Sequence, residues 1–326
     1  MIITRTPLRI SIGGGGTDLP SYYSRFGGFV ISVTINRYIY ITLHETFVKN
    51  YIIKYSQMEA VESVGKIAHP IIREAFKLHQ VEPFIEMVSM ADLPAGTGLG
   101  SSGAFTVGLL RAIYSLKRQP VTPQTVAEEA CHIEMDLLEQ PIGKQDQYIS
   151  SFGGFMCMTF DKSGKTEVTP LRMSPDTLHD LEDNLLMFFT GYSRNAGDVL
   201  ADQKKRTEKE DPAMIENLHF IKETGLTIRK ALEAGRTDDF AELMHQHWLH
   251  KKKRSKGISN DKINGWYDIG YANGASGGKL IGAGGGGFLL FYAHDRKKLR
   301  QAMARAGLAE VRFRFDHEGS RILVRD

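Results

Sequence analysis

Residues 94–104 read Pro94-Ala95-Gly96-Thr97-Gly98-Leu99-Gly100-Ser101-Ser102-Gly103-Ala104 and run directly into an apolar stretch reaching Leu116. Glycines at 96, 98 and 100 let the backbone turn where side chains would collide. Two serines add hydroxyls. The helix that follows opens with unpaired amides at the positive end of its dipole. A loop of this kind accommodates a polyphosphate anion. The chain must therefore fold so as to hold a nucleotide against the mouth of that helix.

Around this loop the residue pattern predicts strands over 2–12, 29–35, 38–43 and 83–90, where β-branched and aromatic side chains concentrate. An amphipathic helix is expected over 61–79. Another covers 123–138, with Thr122 as its N-cap and Pro123 at its first position. Strands follow at 153–160 and 166–169, and residues 170–184 read as a connector. A strand at 185–190 precedes helices at 196–208, 212–234, 237–253 and 260–272. A second glycine-rich stretch, 277–287, leads into an apolar strand at 288–292. A helix at 295–306 and strands at 309–315 and 320–325 complete the pattern. Strands and helices mixed without a regular βαβ rhythm imply an α+β fold in two lobes. The division falls in the 170–185 region, giving lobes of residues 1–175 and 176–326.

Composition narrows the function. The 41 basic and 38 acidic residues leave a net charge of +3, too small to argue for nucleic-acid binding. The densest basic run, Lys251-Lys252-Lys253-Arg254, is accounted for by a helix C-terminus, whose dipole favours cations. A patch for an anionic substrate is the other reading. Two cysteines, Cys131 and Cys157, make no disulfide framework and read as buried thiols in a reducing compartment. No apolar run reaches the roughly 18 residues of a membrane span, and the N-terminus is not a signal peptide. A cytoplasmic enzyme with neither nucleic-acid nor membrane partners is expected.

Two familiar phosphate fingerprints fail. Gly65-Lys66, Gly143-Lys144 and Gly278-Lys279 lack the upstream glycine and the following Ser or Thr of a Walker A loop. Gly98, Gly100 and Gly103 match the dinucleotide pattern, but the loop with two prolines at 117–125 stands where a second strand ending in an acid is required. The full string Pro-x-x-x-Gly-Leu-Gly-Ser-Ser-x-Ala resembles the phosphate loop of the GHMP kinases, the small-molecule kinases that include galactokinase and mevalonate kinase. Two further blocks carry the resemblance across the chain: Pro7-Leu8-Arg9-Ile10-Ser11-Ile12-Gly13-Gly14-Gly15-Gly16-Thr17-Asp18, and Lys279-Leu280-Ile281-Gly282-Ala283-Gly284-Gly285-Gly286-Gly287. The extension Thr17-Asp18-Leu19-Pro20-Ser21-Tyr22-Tyr23, with Ile142-Gly143-Lys144-Gln145-Asp146-Gln147-Tyr148, is similar to the sugar-phosphate branch typified by D-glycero-D-manno-heptose 7-phosphate kinase.

The resemblance implies a first lobe like domain 2 of ribosomal protein S5 and a ferredoxin-like second lobe. It also implies ATP as phosphoryl donor, Mg²⁺ and a sugar-phosphate acceptor. Pro94, Gly96, Thr97, Gly98, Leu99, Gly100, Ser101, Ser102 and Gly103 would form the ATP loop. Ser102 and Glu134 would hold Mg²⁺; Glu134 precedes Asp146 by twelve residues, the spacing of metal ligand and base in galactokinase-like relatives. Asp146 would be the catalytic base and Arg9 its cationic partner, while Gly15, Gly16, Thr17 and Asp18 would hold the sugar. The third block is expected to pack on the phosphate loop. Lys144, Arg194, Lys252 and Lys253 are the candidates for the substrate's own phosphate. The activity implied is phosphorylation of the anomeric hydroxyl of a heptose 7-phosphate, for activated heptose in surface polysaccharide. A kinase of an unphosphorylated sugar of the galactose or fucose type is the nearest rival, and a non-catalytic binding protein is the rival of another class. The oligomeric state is not legible.

Overall fold

A computed structural model describes residues 1–191, 196–255 and 257–326. In chain order the first part comprises β1 (Ile2–Gly13), α1 (Pro20–Phe26), β2 (Gly28–Glu45), β3 (Tyr51–Lys54), β4 (Met58–Val61), α2 (Pro70–Leu78), β5 (Ile85–Ala91), α3 (Ser101–Leu116), α4 (Pro123–Cys131), α5 (Gln145–Phe152), β6 (Phe155–Phe160) and β7 (Thr166–Pro170). There follow α6 (Pro175–Asn184), β8 (Leu185–Phe189), α7 (Ala196–Glu208), α8 (Pro212–Glu233), α9 (Thr237–Arg254), α10 (Asp261–Ala272), β9 (Gly277–Leu280), β10 (Phe288–Tyr292), α11 (Arg296–Arg305), β11 (Ala309–Glu310) and β12 (Arg321–Arg325). The α+β expectation holds. No helix among the described residues is long and apolar enough to cross a membrane.

Two sheets organise these elements. The larger, eight-stranded one has the order β12-β1-β2-β5-β3-β4, with β6 and β7 branching from β2. The smaller is antiparallel, β11-β8-β10-β9. β12 crosses the expected division of the chain: Arg321–Arg325 pair with the first residues of β1 in the larger sheet.

Several elements differ from their sequence pattern for identifiable reasons. The two strands read over 29–43 are one strand, β2. Pro7 pairs with Tyr38 and Leu8 with Ile35, so Asn36 and Arg37 bulge out opposite a proline that has no amide to donate. Beyond the bulge β2 changes partner, from β6 to β5. The helix expected over 61–79 shrinks to α2, because Pro70 disfavours helical geometry at His69; before it, Val61 ends the β3–β4 hairpin and Val64–Lys66 make only one 3-10 turn. The helix over 123–138 leaves α geometry after Cys131 and closes with a π-helical turn, His132–Leu137. The supposed connector contains α6, with Ser174 accepting from the Thr177 amide and Pro175 at the first position.

The third glycine block seats one lobe on the other. A β-carbon at Gly282 would stand 2.4 Å from Gly98 Cα, and one at Gly98 would stand 2.7 Å from the Ile281 carbonyl oxygen. Backbone thus meets backbone, with both residues at positive φ. Gly282→Val is expected to lower stability by about 2–4 kcal/mol and to weaken nucleotide binding with it. Urea unfolding alongside nucleotide titration measures both.

Candidate active site

A cleft of about 530 Å³ opens where these lobes meet. Gly100, at φ 76°, ends the loop and no side chain caps α3. Gly96, Gly98, Gly100, Ser101, Ser102 and Gly103 line the cleft at that uncapped helix end. Such an end combines free amides with the dipole, as anion binding requires. Of the other loop candidates, Pro94 is exposed outside the cleft, and Thr97 and Leu99 lie beneath the loop. Thr97 Oγ1 donates to the Pro94 carbonyl at 2.9 Å, and the fully buried Leu99 accepts the Arg9 amide at 3.0 Å. They hold the loop's shape and do not line the cleft.

β1 carries Arg9 to the cleft and α5 brings Asp146 opposite. Arg9 Nε donates to Asp146 Oδ1 at 2.7 Å, and Nη1 donates to the Gly98 carbonyl at 2.5 Å. Arg9 is buried while the Asp146 side chain keeps 28% of its exposure. α3 and α5 touch closely enough that a β-carbon at Gly103 would lie 2.8 Å from Asp146 Cβ. Gln145 Nε2 also donates to Asp146 Oδ1, at 3.1 Å.

The π-helical turn brings Glu134 to the same cleft. Ser102 Oγ donates to Glu134 Oε2 in a short hydrogen bond, and Gln147 Nε2 donates to Oε1 at 2.9 Å. Glu134 has no solvent exposure and, among the described residues, no cation within pairing distance. Burial, with a smaller contribution from the Asp146 charge, raises its pKa above the ordinary glutamate value. Asp18 is similarly placed: burial and then the Asp146 charge raise its pKa. Its oxygens accept from the amides of Gly16 at 3.0 Å and Gln145 at 3.2 Å.

Gly15, Gly16 and Asp18 line the cleft, whereas Thr17 does not. The Thr17 hydroxyl donates to the carbonyls of Gly14 and Phe29, and its amide to Gly14, so it fastens the turn. Lys144 also misses the cleft. It stands two residues before Asp146, on another side of α5, where Nζ donates to the Gly164 carbonyl at 2.5 Å and lies over the Tyr23 ring. Lys252 and Lys253 face a separate groove with Ser259 and Asn264. Arg194 lies outside the described residues.

Besides Arg9, the cations that line the cleft are Lys251, Arg254 and Lys279, beside His247. Two of these cations, with His247, carry a sequence signal: His247, Lys251 and Arg254 follow i, i+4, i+7 spacing, so α9 turns them to one face. Lys252 and Lys253 fall off that face. Ser11, whose hydroxyl is buried without a partner, completes this side.

The chain matches the family models "GHMP kinases N terminal domain" over residues 62–154 and "GHMP kinases C terminal" over residues 228–309. It is 32% identical over 309 residues to D-glycero-alpha-D-manno-heptose 7-phosphate kinase of Campylobacter jejuni, covering 91% of each chain. This protein is a GHMP kinase. Its structure also superimposes on a D-glycero-D-manno-heptose 1-phosphate kinase of Bacteroides thetaiotaomicron with a TM-score of 0.81, 25% identity and 99% coverage of both chains. The bifunctional fucokinase/GDP-fucose pyrophosphorylase of Arabidopsis thaliana is 25% identical over 92% of this chain, which spans 30% of that protein. The GHMP kinase fold and a sugar-kinase phosphotransferase acting on an alcohol group follow from these likenesses.

The raised pKa of Glu134 has a consequence for the kinase's stability. The folded state holds a proton there that the unfolded state releases, so stability falls as pH rises from about 4.3 through the raised value. Glu134→Gln is expected to flatten that fall in metal-free buffer, leaving the part that Asp18 contributes. Urea unfolding from about pH 4 to about pH 8 reads the slope.

Proposed function

We propose that this kinase transfers the γ-phosphoryl group of ATP to the anomeric hydroxyl of D-glycero-D-manno-heptose 7-phosphate, giving the 1,7-bisphosphate. The observation that carries the chemistry is the Arg9–Asp146 pair at 2.7 Å, set at the uncapped end of α3. The likeness to the Campylobacter kinase over 91% of both chains supports the sugar.

Phosphoryl transfer is mainly positioning and charge stabilisation. The loop amides from Gly96 to Gly103 and the Ser101 hydroxyl would receive the donor's phosphates. Asp18 would orient the sugar, since each of its oxygens already accepts one amide and retains a lone pair for a hydroxyl. Asp146 would take the proton of the attacking hydroxyl as the new P–O bond makes that hydroxyl acidic. Arg9 pairs with Asp146 and also holds the Gly98 carbonyl, fixing the proposed base and the loop in one frame.

The donor set fits Mg²⁺. A hydroxyl and a carboxylate are hard oxygen ligands, and this ion binds through one or two such groups together with phosphate oxygens. Glu134, buried without a cationic partner, is the fitting half of that pair, and Ser102 the other. Bound there, the ion would neutralise charge on the phosphate oxygens; Gln147 would hold Glu134 in place.

Asp146→Asn is expected to lower kcat by about 10²–10⁴ while nucleotide affinity stays near that of the wild type. Single-turnover assays paired with ADP titration test this, and unchanged turnover would assign the base elsewhere. The competing reading, an unphosphorylated sugar of the fucose type, has the Arabidopsis likeness in its favour. ADP release measured on heptose 7-phosphate, fucose and galactose decides between them. The proposed reading requires the highest kcat/KM on the first.

A further inference from the structure

Charge is unevenly distributed across the cleft. Asp18, Glu134 and Asp146 gather where α4, α5 and the Gly14–Asp18 turn meet. The wall formed by α9 and β9 is cationic throughout. His247, Lys251, Arg254 and Lys279 are each at least nine-tenths buried, and none has an ion-pair partner among the described residues.

What holds Lys251 and Arg254 is a set of neutral acceptors. Lys251 Nζ donates to the carbonyls of Leu280, at 2.9 Å, and Gly282. Arg254 donates to the Gly15 carbonyl at 3.3 Å, to Gln203 Oε1 at 3.0 Å and to Asn217 Oδ1 at 3.3 Å. Both His247 nitrogens are buried without any hydrogen-bond partner. Lys279 is 2% exposed and sits in the middle of the smaller sheet's edge strand. Burial and the neighbouring charges of Arg254 and Arg9 press its pKa down to about 7, and Lys251 is depressed for the same kinds of reason. Buried cations without partners are unfavourable in the empty protein. They become favourable when a dianion arrives to accept several charge-assisted hydrogen bonds.

The wall is tied to the acceptor side of the cleft. Arg254 grips the Gly15 carbonyl, and Gln203, bonded to Arg254, donates to the Gly16 carbonyl at 2.8 Å. Gly15 and Gly16 belong to the same turn as Asp18. The donor's phosphates already have the amides and hydroxyls at the start of α3. A ligand bearing hydroxyls at one end and a dianion at the other would therefore bridge Asp18 and the cationic wall.

We infer that His247, Lys251, Arg254 and Lys279 form the receptor for a phosphomonoester carried by the acceptor sugar. This rests on the sugar-phosphate reading given above. The pocket selects phosphorylated acceptors in two ways. A neutral sugar leaves the buried cations uncompensated, and a phosphate satisfies them together.

The test uses Lys279→Met and His247→Asn in the full chain, assayed on D-glycero-D-manno-heptose 7-phosphate and on the free heptose, with the KM for ATP measured in parallel. Wild type is expected to prefer the phosphorylated sugar. Lys279→Met should lower that preference, as a kcat/KM ratio, by about 10- to 100-fold, with His247→Asn moving it in the same direction. Lys279→Met should also raise the melting temperature of the ligand-free protein, because a buried unpaired cation is removed, and should abolish stabilisation by added inorganic phosphate. Should Lys279→Met fail to fold, the ratio measured on His247→Asn decides. A preference that survives both substitutions overturns the pocket and leaves the sugar-phosphate reading standing. An increase in the KM for ATP without a change in the ratio also overturns it, assigning the cations to the nucleotide. A wild-type enzyme that prefers the free heptose overturns the sugar-phosphate reading and the pocket together.

Discussion

Arg9 is the tie on which the cleft's geometry depends. One buried guanidinium joins three elements distant in sequence: its own strand β1, the phosphate loop through the Gly98 carbonyl, and α5 through Asp146. Its backbone amide adds a fourth attachment, to Leu99. Burying such a group is unfavourable unless it is hydrogen-bonded and a countercharge is present. The fold meets that condition only when the loop and α5 both close on β1. The same bonds that make the arginine tolerable therefore fix Asp146 relative to the helix end. The close approach at Gly103 acts in the same sense, since nothing larger than hydrogen fits between α3 and Asp146.

Around that tie the cleft stores charge that the polypeptide does not neutralise. Glu134 and Asp18 are carboxylates whose pKa values burial raises, and Lys251, Arg254 and Lys279 are cations whose pKa values burial lowers. Pairing them with one another would have stabilised the empty protein. They are held apart on different elements instead, which leaves each set to be completed by a ligand of the opposite sign. Stability is given up at the site where binding is needed, a pattern common to functional clefts.

The sequence exposed those parts of the site that are contiguous in the chain. The glycine loop, the Gly13–Asp18 turn and the 142–148 segment are each short strings whose residues work together, and the structure brings all three to one cleft. What depends on helical phase was less legible. In the run at 251–254 the adjacent Lys252 and Lys253 attract notice, yet only Lys251 and Arg254 share a face with His247. Lys144 was misleading for the same reason, being near Asp146 in sequence and turned away from it in space. Glu134 faces the cleft on a π-helical turn, a departure from regular spacing that no periodicity in the sequence marks. α6 was legible and overlooked: Ser174-Pro175 is an ordinary helix start. The bulge at Asn36–Arg37 divided β2 because apolar alternation breaks wherever register shifts.

The two walls of the cleft belong to different parts of the fold, and that separates two kinds of selectivity. The proposed reacting groups lie on β1, a strand of the larger sheet, and on α3 and α5, which pack against that sheet. The cationic wall lies on α9 and β9, beside the smaller sheet. Its backbone contact with the first lobe runs through Gly98 and Gly282. In the proposed reading, a change of charge on α9 would alter what the acceptor must carry without moving Asp146 relative to the helix end. Conversely, a shift of the Gly98–Gly282 contact moves the entire wall, since the Lys251 ammonium is anchored to the carbonyls of Leu280 and Gly282. In the proposed reading, recognition of the acceptor and alignment of the phosphoryl group would be coupled through close backbone contacts, Gly98 with Gly282 and Thr97 with Gly287, that permit no side chain. That constraint keeps the third glycine block close-packed even though it contributes few chemical groups of its own.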